Sequence, residues 1–69
     1  MKLTATYLID VCDMLEGKQI KDWRNLSTVM HNIIGMEYST MNVSMKKALM
    51  ARVKEMMVIE HNQLFYKEF

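Results

Sequence analysis

Side chains able to do chemistry are few in this sequence and stand apart from one another. His31 lies one helical turn after Ser27 and one before Gly35, while His61 lies between Met57 and Phe65 at the same spacing. A helical metal pair needs two ligands four residues apart on one face, and neither histidine has a His, Asp or Glu at that distance. Cys12 is the one thiol of the chain. It cannot close an intramolecular disulfide or build a cysteine-based zinc site, and its place at the border of an apolar stripe suits a small buried hydrophobe. The acids Asp10, Asp13 and Glu16 stand three apart. They share a helical face but lack the second carboxylate in an apolar setting that acid–base catalysis uses. The only glycines are Gly17 and Gly35, so no glycine-rich phosphate loop exists. The expectation is no catalytic residue, no metal and no cofactor.

The basic residues are more grouped. Lys18, Lys21 and Arg24 stand around Asp22, and residues 44–54 carry Lys46, Lys47, Arg52 and Lys54 without an acid. Basic side chains at this density can neutralise phosphates and release condensed counterions. Two helices joined at Gly17 also have the spacing of a helix-turn-helix, for which Gln19, Lys21, Arg24, Asn25 and Thr28 would offer base-reading groups. Against this, the basic residues of 44–54 encircle a helix instead of lining one face. Nine Lys and Arg against eight Asp and Glu leave a net charge of only +1, and an acidic stripe on helix one would repel DNA. Nucleic-acid binding through Lys18, Lys21, Arg24, Lys46, Lys47 and Lys54 is therefore the alternative reading.

The elements that would position these groups follow from composition and period. With 69 residues the chain is one small domain, and 51% apolar against 25% charged residues is the balance of a folded chain. It has no proline and only two glycines, little material for strands and turns, so an all-α three-helix bundle is expected. Leu3, Tyr7, Leu8, Val11, Met14 and Leu15 form one apolar face of a helix over 3–16, with Gly17 at its C-cap. Trp23, Leu26, Met30, Ile33 and Ile34 do the same for 20–34, with Gly35 beyond and Asp22 as an N-cap that would shorten it by a turn. A third helix is predicted over 42–66, on a stripe of Met45, Leu49, Val53, Met56, Met57 and Leu64.

That third helix carries the functional expectation. In helical register Met56, Met57, Val58 and Ile59 are apolar all round, and Phe65 and Tyr66 point away from the main stripe. A chain of this size rarely buries enough core alone, so a homo-oligomer is expected, with Val58, Ile59, Phe65 and Tyr66 as partner contacts. Glu60 falls within the stripe, where a buried polar residue could fix oligomer register. Nine methionines suit either an irregular core or an adaptable surface, with Met36 and Met41 the best candidates for exposure. No run approaches the ~20 apolar residues of a membrane span, and no secretory apolar region opens the chain. A cytoplasmic, non-catalytic module binding another protein as regulator, adaptor or inhibitor is the reading these features support.

Overall fold

The computed structural model describes residues 2–68. Thr4 starts the first helix, its hydroxyl accepting from the Tyr7 N–H at 3.1 Å. Helix α1 then runs Ala5–Leu15 and buries Leu8, Val11, Cys12 and Leu15 at helical spacing. Gly17, at φ 80°, takes the left-handed conformation that turns the chain out of α1. Asp22 begins the next element with a reciprocal cap: its carboxylate accepts from the Arg24 N–H at 2.8 Å, and Asn25 Oδ1 accepts from the Asp22 N–H at 3.3 Å. A short 3-10 turn, Trp23–Asn25, leads into helix α2, Leu26–Ser39.

Gly35 does not end α2 but kinks it, with φ 47° and ψ −121°. Past the kink, Tyr38 is turned into the core and is 1% exposed. Its hydroxyl meets Ser27 Oγ at 3.3 Å and Met50 Sδ at 3.5 Å, and the His31 ring packs edge-on against it at 4.7 Å between centroids. The Asn42 side chain, accepting from the Met45 N–H at 2.8 Å, caps helix α3, Val43–Met56. Leu49 and Val53 are its buried residues.

The all-α expectation fails at Met57. Residues 57–66 are not the end of a helix but an antiparallel hairpin, β1 over Met57–Glu60 and β2 over Gln63–Tyr66. His61 and Asn62 form the two-residue turn at φ 52° and 60°, the left-handed pair of a type I′ turn. The apolar run is the reason. Val58, Ile59, Phe65 and Tyr66 are β-branched or aromatic and favour a pleated strand. Alternation also places them better than a helix would. Met57, Ile59, Leu64 and Tyr66 face the core, Met57 and Leu64 fully buried, while Val58, Glu60, Gln63 and Phe65 face outward.

The loop after α1 completes the sheet edge. The Gly17 N–H donates to the Leu64 carbonyl at 2.7 Å, the Leu64 N–H to the Lys18 carbonyl at 3.0 Å, and the Ile20 N–H to the Asn62 carbonyl at 2.9 Å. Gln63 Nε2 adds a bond to the Gly17 carbonyl at 3.2 Å. One apolar core results, shared by α1, α2, α3, Ile20 and the inner hairpin face, and among the described residues it holds no buried charged side chain.

Two stability outcomes follow from the backbone. Nothing lies within 4 Å of a Cβ built on Gly35, so Gly35→Ala meets no clash and pays only for its dihedrals. It should lower stability by about 1–3 kcal/mol, read as a lower urea midpoint at unchanged m. Replacing His61-Asn62 by Asn-Gly, the pair best suited to a type I′ turn, should raise that midpoint.

Candidate interaction surface

The outward face of the hairpin carries half-buried apolar surface outside the core, while Ile9, Met14, Met36 and Val43 on the helices are more exposed but stand singly. Val58 and Phe65 are directly paired across the strands, each half-buried, and neither belongs to the core cluster. They floor an open groove of about 810 Å³ whose rim carries Glu16, Glu60 and Glu68 together with His61 and Lys67. Among the described residues none of these three glutamates makes an ion pair. The surface is thus an apolar strip edged mainly by free carboxylates.

Tyr66 holds this face in place from behind. Its hydroxyl donates to the Asp13 carboxylate and lies 3.4 Å from the Ile9 carbonyl, tying β2 to α1. Burial first, then the neighbouring Asp13 charge, pushes the Tyr66 hydroxyl far above its ordinary range. A phenol serves Asp13, and no ion pair involves Asp10, Asp13 or Glu16 among the described residues.

Of the four expected partner residues, Val58 and Phe65 lie on this outer face, Tyr66 packs against the core but also lines the groove, and Ile59 packs against the core. Glu60 is not in an apolar seam. It is exposed at the end of β1, opposite Gln63. One ground for expecting an oligomer was a helix apolar on all sides, and the hairpin turns half of that surface inward; the other ground, the small size of the chain, is unchanged. Met36 is 80% exposed, as its position suggested, whereas Met41 packs partly against the core.

The basic residues stand on separate elements. Lys18 and Lys21 lie in the loop after α1, Arg24 in the 3-10 turn, and Lys46, Lys47 and Lys54 on α3. The Arg24 guanidinium is paired with Asp22 at 3.1 Å, which lowers the Asp22 pKa, and Lys46 Nζ lies 5.2 Å from the centre of the Tyr38 ring. A second groove, about 690 Å³, does bring together four of the five proposed base-reading residues. Gln19, Lys21, Asn25 and Thr28 line it, along with Asn32 and Asn62.

Two features escaped the sequence reading. The pairing of Gly17–Ile20 with β2 has no local signal, because its partners are more than forty residues apart. The Tyr38 cluster with His31, Ser27, Met50 and Lys46 depends on the Gly35 kink; the glycine was visible, its use was not. Cys12 is fully buried, and burial together with Asp13 pushes its thiol up to about 11. No group of three His, Cys, Asp or Glu that could hold a metal occurs among the described residues. Comparison with known proteins gives no family model, no curated protein and no solved structure that matches this chain.

The thiol makes a pH prediction. Its folded pKa lies above its ordinary value of 9.0, so its stabilising contribution is full below about pH 9 and is lost as pH rises toward about 11. The raised Tyr7 and Tyr66 hydroxyls act in the same direction at higher pH. The urea midpoint should therefore fall above pH 9, and Cys12→Ala should flatten the early part of that fall. Native Cys12 should also resist a thiol reagent at pH 8 until the protein is unfolded.

Proposed function

We propose that this protein is a non-catalytic interaction module of the cytoplasm, an accessory regulator, adaptor or inhibitor that works by binding another protein. The observation that carries the reading is the outward Val58–Phe65 pair. Phe65 is a large apolar side chain held on a strand, half-covered, in a groove whose rim carries three unpaired carboxylates beside His61 and Lys67. Interface anchors have this character: an aromatic group at the centre with a polar rim. The acidic rim favours encounter with a basic partner surface and adds specificity more than affinity. A buried free thiol accords with a reducing compartment.

The second reading, nucleic-acid binding, draws support from the carboxamide-lined groove of Gln19, Asn25, Asn32 and Asn62 beside Lys21. Lys18 stands in the same loop as Gln19 and Lys21. The two readings part under salt, since phosphate contacts weaken steeply with ionic strength and an apolar contact does not.

A pull-down from cell lysate at about 200 mM salt, with and without nuclease, separates them. The expected result is a discrete protein retained after nuclease and lost with the double substitution Val58→Thr, Phe65→Ser. Both positions face away from the core, so the variant should keep a cooperative unfolding transition. Recovery of nucleic acid, or of proteins that nuclease removes, would overturn the interaction reading in favour of the carboxamide groove. Light scattering at tens of micromolar tests self-association through the same pair: a dimer mass that the double variant abolishes would show it, and a monomer mass would exclude it.

A further inference from the structure

β1 has an open edge. The register pairs Val58 with Phe65 and Glu60 with Gln63, and the Lys67 N–H donates to the Met56 carbonyl at 3.0 Å. This phase directs the main-chain groups of Val58 and Glu60 across to β2 and sends those of Met57 and Ile59 the other way. The Met57 N–H is taken by the Val53 carbonyl at the end of α3. Met57 has no exposed surface, so its carbonyl is covered; the main-chain groups of Ile59, a partly exposed residue, have no partner among the described residues and form the open part of the edge. The far edge of β2, by contrast, is closed by Gly17–Ile20.

Sheet edges left in solution are usually blunted by shortness, charge, proline or a bulge. β1, Met-Val-Ile-Glu, is short and carries one charge, Glu60, but it pairs in unbroken register without lysine, proline or bulge. Its two sides differ in chemistry. Outward, next to the open edge, stand half-buried Val58 and the exposed, unpaired Glu60; inward stands Ile59, half-buried at the border of the core.

We propose that the open edge of β1 accepts an extended segment of another protein as an added antiparallel strand. We further propose that this segment reads basic–apolar–apolar along its own chain, opposite Glu60, Ile59 and Val58 in turn. The proposal rests on the interaction-module reading and specifies its occupant. Strand addition draws affinity from the main-chain ladder and specificity from alternate side chains. Directly opposed pairs set those side chains: an apolar residue against Val58, a cation against Glu60, and an apolar residue extending the core past Ile59. Glu16 and Glu68 stand farther from this edge, on a groove rim they share with Lys67 and His61, so Glu60 sets the preference for a cation. A second copy of β1 fits worse. Antiparallel pairing about Ile59 would set each Glu60 against the other chain's Val58, and pairing about Val58 would call on the Met57 N–H that Val53 already holds.

The test uses the full-length protein and a fluorescein-labelled peptide, Thr-Arg-Val-Val-Thr-Lys, read by anisotropy at about 150 mM salt. Two controls accompany it: the same peptide with its arginine replaced by glutamate, and the same peptide methylated on the amide nitrogen of its first valine, which would donate to the Ile59 carbonyl. Saturable binding is expected, about tenfold weaker for either control. Glu60→Lys should reverse the preference between arginine and glutamate peptides. Amide exchange of Ile59 should slow when the peptide saturates.

Equal binding of the methylated and parent peptides, or an unchanged preference in Glu60→Lys, would overturn strand addition. So would Ile59 protection that rises with protein concentration alone, which would assign the edge to a second copy. No binding of the arginine peptide overturns the proposal as well. Capture that still depends on Val58 and Phe65 would then leave the broader interaction reading standing, whereas its loss on nuclease treatment would bring that reading down separately.

Discussion

The structure turns on the main chain of Leu64. Its carbonyl accepts from Gly17 and its N–H donates to Lys18, so the loop after α1 becomes a third strand-like edge beside the hairpin. A two-stranded hairpin alone is marginal in water. Here the Leu64 side chain is also fully buried, which joins the ladder to the core. One residue therefore couples the first helix, the inter-helix loop and the end of the chain. Without that coupling the hairpin would be tied to α1 through Tyr66 alone and would lack a third strand-like neighbour.

The core is built to accommodate this arrangement at both ends. Tyr66 fixes the outer end by hydrogen bonding to Asp13 and the Ile9 carbonyl, so the acidic stripe of α1 serves as an anchor for β2. Tyr38 fixes the other end. The kink at Gly35 lets α2 continue while changing direction, and the phenol reaches Ser27 and Met50 on two different helices. Both tyrosines present a large apolar body to the core and give their polar tips a partner, the condition for burying them without an orphaned hydroxyl.

The functional consequence is an asymmetric sheet. One long edge is closed by Gly17–Ile20, one face is closed by the helices, and the remaining edge and face meet at Val58. The unpaired main chain of Ile59, the apolar Val58–Phe65 pair and the acidic rim thus converge on one region. The basic residues are dispersed by the same fold onto the loop, the 3-10 turn and α3, with Arg24 already neutralised by Asp22. Convergence on one side and dispersal on the other are what support the proposed reading of protein binding over binding along a phosphate backbone.

Local chemistry determined much of the first two-thirds of the chain. Thr4, Asp22 and Asn42 are short polar residues that satisfy helix-start donors within three residues, and α1 buries an apolar stripe legible from spacing alone. The part that sequence could not settle is Met57–Tyr66. Met56-Met57-Val58-Ile59 fits a buried helix turn or a strand equally well by hydrophobic period, and the turn uses His61-Asn62 in place of the glycine that usually announces a hairpin. The choice is made by partners distant in sequence, Gly17 and Lys18 for Leu64 and Asp13 for Tyr66. Thus Val58 and Phe65 were identifiable from sequence as apolar residues without a place in a helix stripe. Which way they face, and that Ile59 leaves its backbone open at an edge, was decided only when the hairpin paired with a loop at the other end of the chain.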